Sequence, residues 1–413
     1  MEPWKRTLLA VCLSQFFSLC GFSFALPFVP YYLQTLGVTD PVALKMWVAG
    51  LAAAGALTLM LFAPIWGYMA DRYGRRLMML RANFAGVAIL ALMATARVPE
   101  TLLVLRLLQG VFTGTISAAQ TMISSVAPRE KAGFALGALS ASVFSGNMAG
   151  SFIGGLFAEA FGYRPAFVAS SGLLLVAALL IVFGTREPAR PQRRPEPAAA
   201  AEGAGRPAPM RQLSALGAWP ILALMMVMAA VCSFDSSLLP LLVQKINLDA
   251  IEGAAWRTGV VYVAGSVGSI LAGVFLGRLA DRVYPPRVAK ASALGAGLFM
   301  IPMGLAQGVF LLVSARLGVA FCAGGLDPVF QIWLAKITPE HRRGQIFGWA
   351  TAAKSFGWFV APLASGAIAA GFGIRSIYFV GAVLFWLLIP AIALAVRRLP
   401  LSTPEAEATR AER

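Results

Sequence analysis

Apolar stretches of about 20 residues or more follow one another along almost the whole chain. A membrane-spanning helix needs such a stretch, because its backbone polar groups must be satisfied within the segment. Of the residues, 59% are hydrophobic and 13% are charged, and the mean hydropathy is +0.75. The runs are continuously apolar, which excludes a membrane β-barrel. The pattern predicts twelve helical spans, over residues 7–35, 46–69, 77–96, 101–126, 132–159, 165–184, 215–243, 256–279, 288–306, 309–335, 344–371 and 376–396.

The charge is strongly basic and unevenly distributed. The formal net charge is +16, and most of the 34 lysines and arginines lie in the segments that the spans leave on one side. Cytoplasmic loops of membrane proteins carry this excess, so we expect both termini to be cytoplasmic. Basic loops also suit an anionic bilayer surface, so membrane lipids rather than a nucleic acid are the expected partner of this charge.

The sequence contains no recognisable constellation for a metal, a cofactor or catalysis. The only histidine, His341, lies beside two arginines, and no cluster of His, Cys and carboxylate residues could hold a metal. A P-loop is absent, which argues against ATP-driven pumping, and we expect neither an enzyme nor a bound cofactor. The cysteines all fall within spans, where apolar packing is their expected role: Cys12, Cys20, Cys232 and Cys322.

The chain repeats itself at an offset of 210 residues. The segment "GYMADRYGRR" (67–76) corresponds to "GRLADRVYPPR" (277–287), and with one extra residue "FGYRPAFV" (161–168) corresponds to "FGIRSIYFV" (372–380). Six spans per copy is an even number, so the two copies are parallel repeats. The constant offset also pairs Phe24 with Phe234, Pro30 with Pro240, Gln34 with Gln244 and Arg106 with Arg316.

This repeat predicts the domain organisation. We expect a six-helix bundle over residues 1–184 and a second one over 215–400. The segment 185–214 is rich in Pro, Ala and Arg and has little to bury, so we interpret it as a disordered cytoplasmic linker. We expect residues 401–413, which are polar, to be a cytoplasmic tail.

These motifs resemble those of the major facilitator superfamily. The segment 67–76 is similar to its loop signature G-x-x-x-D-R-x-G-R-R, and "GFSFALPFVP" (21–30), "RLLQG" (106–110) and "GNMAGSFIGG" (146–155) resemble signatures of its twelve-helix drug:proton antiporter group. "ALKMW" (43–47) and "ADRYGRRLMMLR" (70–81) look most like multidrug exporters of the MdtG type. The resemblance implies an all-α integral membrane protein, with twelve transmembrane helices in two six-helix parallel-repeat bundles around a central cavity. It also implies a monomer in the bacterial cytoplasmic (inner) membrane.

The loop signature combines an acid, arginines and glycines. The glycines permit a tight turn, and Asp71 at the membrane edge can accept hydrogen bonds from helix N-terminal amides or pair with an arginine. We expect this loop to latch the cytoplasmic ends of the two halves in the outward-facing state. The alternative is that its charges only anchor it among lipid headgroups. The latch residues are Gly67, Asp71, Arg72, Gly74, Arg75 and Arg76.

Span five carries a row of glycines, which lets neighbouring backbones approach closely. Close helix packing is the expected role of these residues. The resemblance departs from the antiporter pattern here, because Ser151 stands where that pattern has a proline, and this weakens the inference to antiport. The row consists of Gly146, Gly150, Gly154 and Gly155.

Five ionisable residues lie deep within the spans. Each costs at least about 2–3 kcal/mol at a helix centre, so a functional role is the default hypothesis. In the family that the chain resembles, helices one, four, seven and ten line the central cavity, and four of the five residues fall on them. The five are Arg106, Asp235, Arg316, Asp327 and Lys354.

Two of these residues are acids, and either could couple transport to protons. Asp235 aligns with Ala25 and Asp327 with Ser117, so the duplicated scaffold explains neither acid. An antiporter needs a group whose protonation changes during its cycle, and we expect Asp235 or Asp327 to be that group. The alternative for both is a static ion pair, for example between Asp327 and Lys354 or between Asp235 and a cavity arginine, Arg106 or Arg316.

Arg106 completes the proposed proton-coupling set. It opens "RLLQG" and resembles the helix-four arginine that is associated with proton relay in the antiporters. The alternative is that it holds backbone carbonyls near a helix break. Arg316 and Lys354 add positive charge to the cavity.

Aromatic and methionine side chains on the cavity-lining spans suit the binding of varied amphiphiles. An aromatic residue in a membrane span can equally face lipid or a neighbouring helix, and we expect only some of these to touch a ligand. The candidates are Phe24, Phe28, Tyr31, Tyr32, Phe112, Met122, Phe234 and Phe330.

The leading functional prediction is a secondary transporter that exports amphiphilic drugs or related compounds by proton antiport through alternating access. A second prediction keeps the fold but assigns one specific metabolite, or an organic anion held by Arg106 and Arg316. A third is a membrane receptor or scaffold that does not cycle, against which the loop signature, the cavity charges and the glycine row all argue.

Overall fold

A computed structural model of the chain describes residues 3–112, 114–126, 128, 131–185, 219–337 and 343–398. Over these residues the regular secondary structure is helical, which satisfies the backbone within each segment. The α-helices are α1 (Pro3–Ala25), α2 (Val29–Thr35), α3 (Pro41–Tyr73), α4 (Arg75–Ala94), α5 (Pro99–Phe112), α6 (Thr115–Val126), α7 (Ala132–Phe161), α8 (Tyr163–Gly184), α9 (Trp219–Ser233), α10 (Leu239–Ile246), α11 (Ala254–Arg282), α12 (Pro285–Leu305), α13 (Val309–Gly324), α14 (Leu326–Ile337), α15 (Arg343–Phe372) and α16 (Ser376–Arg398).

The helices group into the predicted twelve spans, because four spans are broken in two. The first is interrupted by a 3-10 helix, Leu26–Phe28, whose Pro27 has no N–H to donate. The fourth breaks at Gly114, whose φ of +119° favours glycine. The seventh breaks in the turn 234–238 and the tenth at Gly325. Spans one, four, seven and ten occupy corresponding places in the two repeats, so the break is a shared property of the duplicated scaffold.

The prediction of an all-helical membrane protein is confirmed. Seven of the helical stretches in the described residues are long and apolar enough to cross a membrane. The boundary of span two differs from its prediction, since α3 runs from Pro41 to Tyr73 rather than over 46–69. It therefore includes Asp71 and Arg72 of the loop signature, and the turn into α4 is made at Gly74, with a φ of +106°.

The two halves pack alike. Span one contacts spans five and six, two contacts four and three contacts six, while seven contacts eleven and twelve, eight contacts ten and nine contacts twelve. A polar contact repeats as well: Arg164 Nη2 donates to the Ala96 carbonyl at 3.2 Å, and Arg375 Nη2 donates to the Ala306 carbonyl at 3.0 Å. These arginines are the pair that the sequence repeat aligns, so the duplication extends to individual hydrogen bonds.

The halves meet through spans two and eleven and through spans five and eight. The polar contacts between the halves in the described residues lie at the end of the bundle away from the N-terminus. There Gln34 and Gln244 exchange two amide hydrogen bonds of 2.9 Å, and Lys45 Nζ donates to the Ala369 carbonyl at 3.1 Å. The protein is therefore closed at this end.

The predicted linker and tail fall outside the described residues, apart from Thr185, which closes α8 through a hydrogen bond to the Ile181 carbonyl. The domain boundaries at 185–214 and at 401 stay a prediction.

Candidate functional site

A buried ion pair joins spans seven and ten. Arg316 Nη1 on α13 donates to Asp235 Oδ2 at 2.7 Å, and the two side chains are 13% and 1% exposed. Asp235 lies in the break between α9 and α10, where its carbonyl accepts the amides of Leu238 and Leu239. The break thus places a carboxylate inside the bundle, where the close cation Arg316 offsets its loss of hydration.

Two tyrosines flank this pair. Tyr262 of α11 donates its hydroxyl to the Ser236 carbonyl at 2.8 Å, and Tyr378 of α16 is completely buried. Both rings lie close enough to Asp235 and Arg316 to interact with them electrostatically. In the described part of the chain, the Tyr378 hydroxyl has no hydrogen-bond partner. The sequence argument missed both tyrosines.

A second ion pair joins spans ten and eleven. Lys354 Nζ of α15 lies 3.1 Å from Asp327 Oδ1 of α14, and Gln331 Nε2 donates to Asp327 Oδ2 at 2.6 Å. This pair is more open than the first, since the side chains of Lys354 and Asp327 are 16% and 39% exposed. The pairing of Asp327 with Lys354 is the one that the sequence argument named as its alternative.

The two pairs lie at different depths along one span. Arg316 and Asp327 both belong to span ten, and at about 1.5 Å per residue they are roughly 16 Å apart along its axis. The Cys232 thiol of α9 lies within electrostatic range of Asp235, Arg316 and Asp327, so both pairs lie near this part of α9 in the second half. The pair with Asp235 is the one nearer the closed end of the bundle.

Arg106 has a different environment from its counterpart Arg316. Its Nη1 donates to Gln109 Oε1, three residues further along α5, at 2.7 Å. Its Nε is buried without a hydrogen-bond partner in the described residues, and no acid pairs with it there. The first half therefore carries an interior guanidinium whose partner is an amide rather than a carboxylate.

The glycines of span five lie close against neighbouring backbones. A Cβ on any of these glycines would meet a backbone carbonyl: that of Phe16 for Gly146, Cys20 for Gly150, Phe24 for Gly154 and Ala255 for Gly155. The first three glycines, at four-residue intervals, let α7 pack closely against α1. Gly155 lets α7 pack closely against α11 of the second half.

The latch residues are placed only in part. Gly67, Asp71 and Arg72 lie in α3, and their side chains fall outside what the structure describes. Arg75 and Arg76 open α4, and Arg76 Nη2 donates to the Val182 carbonyl of α8 at 2.7 Å, a contact within the first half. The latch between the halves stays a prediction.

The aromatic candidates are mostly buried in this conformation. Tyr31 takes part in the closed end, since its hydroxyl donates to the Pro240 carbonyl at 2.6 Å and lies 2.8 Å from Thr258 Oγ1. Phe112 is partly buried near Trp66, with ring centroids 6.2 Å apart. Their contact with a ligand stays a prediction. The residues buried in the core are Phe24, Phe28, Tyr31, Tyr32, Met122, Phe234 and Phe330.

The sequence contains a signal for the closed end. Gln34 and Gln244 occupy equivalent positions in the two repeats, and equivalent residues near the pseudo-two-fold axis are the ones that can contact each other. In the structure they do meet, and Gln244 Nε2 also donates to the Asp249 carbonyl at 3.1 Å.

Comparisons with known proteins place this fold and these residues in context. The chain matches the model described as Major Facilitator Superfamily over residues 11–290 and 256–413. It is 31% identical to multidrug resistance protein MdtG of Citrobacter koseri over 386 residues, which cover 92% of this chain and 93% of that protein. It is 30% identical to MdtG of Escherichia coli over 403 residues, 96% of each chain. A solved bacterial homologue of the human lysosomal transporter Spinster, inward-facing and occupied, covers 97% of this chain and 98% of its own, with a TM-score of 0.76 at 16% identity.

Proposed function

The chain belongs to the major facilitator superfamily and is a secondary transporter, and we propose that it exports amphiphilic compounds in exchange for protons by alternating access. The observation that carries the proposal is the presence of two interior carboxylates, Asp235 and Asp327. Both lie in the second half, and each forms an ion pair with a base of that half. Their first-half counterparts are Ala25 and Ser117, so a scaffold of this kind packs without either acid.

The two acids suit a protonation cycle because they differ in access. Asp327 is 39% exposed beside Lys354, whereas Asp235 is 1% exposed beside Arg316 and nearer the closed end. In this conformation Asp327 is the acid that water reaches more readily, so it can exchange a proton here. When the closed end of the bundle opens, Asp235 becomes the acid nearer that opening.

We assign Arg106 to the proton-coupling residues because it is an interior base of the first half. It holds Gln109 and no acid among the described residues, so its charge can act on a carboxylate or on the substrate that enters the space between the halves. Its distance to the acids of the second half changes when the halves move apart, which is how it would link substrate position to proton binding.

Amphiphiles are the proposed substrate class because the relatives of about 30% identity are named multidrug resistance proteins and because the cavity-lining spans are rich in aromatic side chains. The proposal places the protein in the bacterial cytoplasmic membrane as a monomer, with both termini in the cytoplasm, where the basic loops face anionic lipids. It requires no cofactor. In this orientation the closed end is the periplasmic one.

The test uses purified protein in sealed proteoliposomes with an imposed pH gradient and no ATP. Fluorescent amphiphiles of cationic, neutral and anionic charge are added in turn, and a pH-sensitive dye follows proton movement. We expect substrate-triggered proton movement in the wild type and its loss in Asp235→Asn or Asp327→Asn. Substrate flux without any proton movement would contradict antiport.

A second candidate function is the transport of one metabolite or organic anion. The observation that favours it is Arg106, which no acid neutralises in the described residues, whereas Arg316 is neutralised by Asp235. In the same vesicles, flux confined to the anionic probe and insensitive to both Asp→Asn changes would favour this candidate.

A further inference from the structure

The polar cluster around Arg316 exists in one half only. The two arginines sit in equivalent places: a Cβ on Gly265 would lie 3.2 Å from Arg316 Nε, and one on the aligned Gly55 would lie 4.0 Å from Arg106 Cζ. The surrounding polar residues are not repeated. Where the second half has Asp235, Tyr262 and Tyr378, the first half has Ala25, Ala52 and Phe167.

The first half shows what an arginine at this place does without an acid. Arg106 donates to the Oε1 of Gln109 at 2.7 Å. In the second half the residue aligned with Gln109 is Val319, which is 4% exposed and has no acceptor. Arg316 therefore depends on Asp235 in a way that Arg106 does not depend on any acid.

One nearby group could replace the carboxylate when Asp235 is neutral. The Tyr378 hydroxyl is buried, and neither it nor Arg316 Nε has a hydrogen-bond partner in the described residues. Tyr378 lies three residues before Gly381 on α16, where a Cβ would be 3.8 Å from Phe234 Cδ1, the residue that precedes Asp235, and the phenol interacts electrostatically with both members of the ion pair. Since an unpaired buried hydroxyl costs about 1–3 kcal/mol, its retention where the first half has Phe167 needs a reason.

We propose that Tyr378 is a positioning residue of the proton-coupling site, whose phenolic oxygen accepts a hydrogen bond from Arg316 when Asp235 is protonated. The proton comes from water and binds Asp235 Oδ2, and the net charge of the pair rises from zero to +1. Arg316 then turns from the carboxyl to Tyr378, which keeps its own proton. The role in transport rests on the proposed function, whereas the exchange of partners does not.

Two other groups near Asp235 could accept from Arg316 in place of Tyr378. The Tyr262 hydroxyl donates to the Ser236 carbonyl, but its oxygen can still accept a hydrogen bond, whereas the Cys232 thiol is a weak acceptor. Ser237 is the second competitor, because its hydroxyl is also buried without a partner in the described residues.

A double-mutant cycle of thermal stability tests the exchange without any transport. The four full-length proteins are wild type, Tyr378→Phe, Asp235→Asn and the double variant, in detergent. Asp235→Asn imitates the protonated carboxyl, and Tyr378→Phe installs the residue that the first half has at the aligned place. In the wild type we expect Tyr378→Phe to leave the unfolding midpoint unchanged or to raise it, because the change removes an unpaired buried hydroxyl. In the Asp235→Asn background we expect the same change to lower the midpoint by about 2 °C or more.

Three further cycles make the result specific. Tyr32→Phe removes an equally buried hydroxyl in the first half, where it donates to the Met93 and Ala96 carbonyls, and its effect should add to that of Asp235→Asn. Ser237→Ala and Tyr262→Phe test the two competitors. The proposal would be overturned if the effects of Tyr378→Phe and Asp235→Asn were additive. It would also be overturned if Ser237→Ala or Tyr262→Phe, and not Tyr378→Phe, were the change that is non-additive with Asp235→Asn.

The transport assay then separates this proposal from the proposed function. Tyr378 stabilises the state in which Asp235 is protonated, so its removal makes protonation harder, and the pH midpoint of substrate-triggered proton movement should fall by about one unit. A wild-type profile in Tyr378→Phe would overturn the positioning role while leaving antiport standing. Absence of proton movement in the wild type would overturn antiport, and the stability cycle would still decide the exchange of partners.

Discussion

Gly154 offers a quantitative test of how closely α7 packs against α1. In Gly154→Ala the new Cβ would lie 2.6 Å from Phe24 Cα and 2.7 Å from Phe24 C, and still closer to its carbonyl oxygen. Ordinary contact begins at 3.4 Å, so α7 must retreat by at least about 0.8 Å. The atoms in the way are backbone, which cannot turn aside as a flexible side chain can.

The same helix supplies a matched control. Gly137 also lies in α7, and among the described residues a Cβ there would meet nothing within 4 Å. Alanine is favoured over glycine in a helix by roughly 1 kcal/mol, so Gly137→Ala should leave the protein as stable or make it slightly more so. In Gly154→Ala the same gain is offset by an overpacking cost of about 1–3 kcal/mol. Relative to the control, Gly154→Ala should therefore be less stable by about 1–3 kcal/mol.

The assay is the apparent unfolding midpoint of each purified variant in one detergent, followed by loss of the monodisperse peak after heating. We expect the unfolding midpoint of Gly137→Ala to equal that of the wild type or to exceed it slightly. We expect the midpoint of Gly154→Ala to be lower than both. Equal midpoints for the two variants would refute the close approach of α7 to Phe24.

Three further predictions concern movement and coupling. If Asp71 latches the cytoplasmic ends of the two halves, Asp71→Asn should shift the balance between the inward-facing and outward-facing forms. The measurement is the distribution of distances between spin labels on those ends. An unchanged distribution would refute the latch. In the double variant Gln34→Cys, Gln244→Cys, a short bifunctional thiol reagent can link the two halves at the closed end. The link should stop transport, because the two positions must separate when the closed end opens. Continued transport after complete cross-linking would contradict this. Arg106→Lys loses the planar fork that reaches Gln109, so transport should fall roughly tenfold or more at unchanged expression, whereas wild-type rates would mean that only the charge matters.

The fold was predictable because its controlling features are local. Each apolar run had to become a helix, and the repeat set six spans in each half. The breaks in spans one, four, seven and ten were harder, because a proline such as Pro27 or a glycine such as Gly114 is also tolerated in an unbroken membrane helix. Only the packing decides that Gly114 takes a positive φ.

The interior charges of the candidate site could be named from the sequence, but their pairing only in part. Charges deep in a span stand out in the sequence, so Asp235, Arg316, Asp327 and Lys354 were all identified. The Asp327 and Lys354 pair was also anticipated, whereas Arg316 was one of two arginines open to Asp235. The choice depends on which spans pack within a half, and this tertiary information is absent from local sequence patterns.

Tyr378 illustrates what the sequence could have offered. Alignment of the halves sets this tyrosine opposite Phe167, a difference of one hydroxyl in an otherwise shared core position. Such a difference is meaningful only when the neighbours are known to include Asp235 and Arg316, which lie in spans seven and ten.

The central claim is that a proton gradient drives substrate movement through this protein. The most direct measurement is the accumulation of a fluorescent amphiphile inside sealed, acidic-inside proteoliposomes, compared with the same vesicles after an ionophore has removed the gradient. The account predicts accumulation above the outside concentration only while the gradient persists, and its loss in Asp327→Asn. Equilibration to the outside concentration, at the same level with and without the gradient, would contradict it.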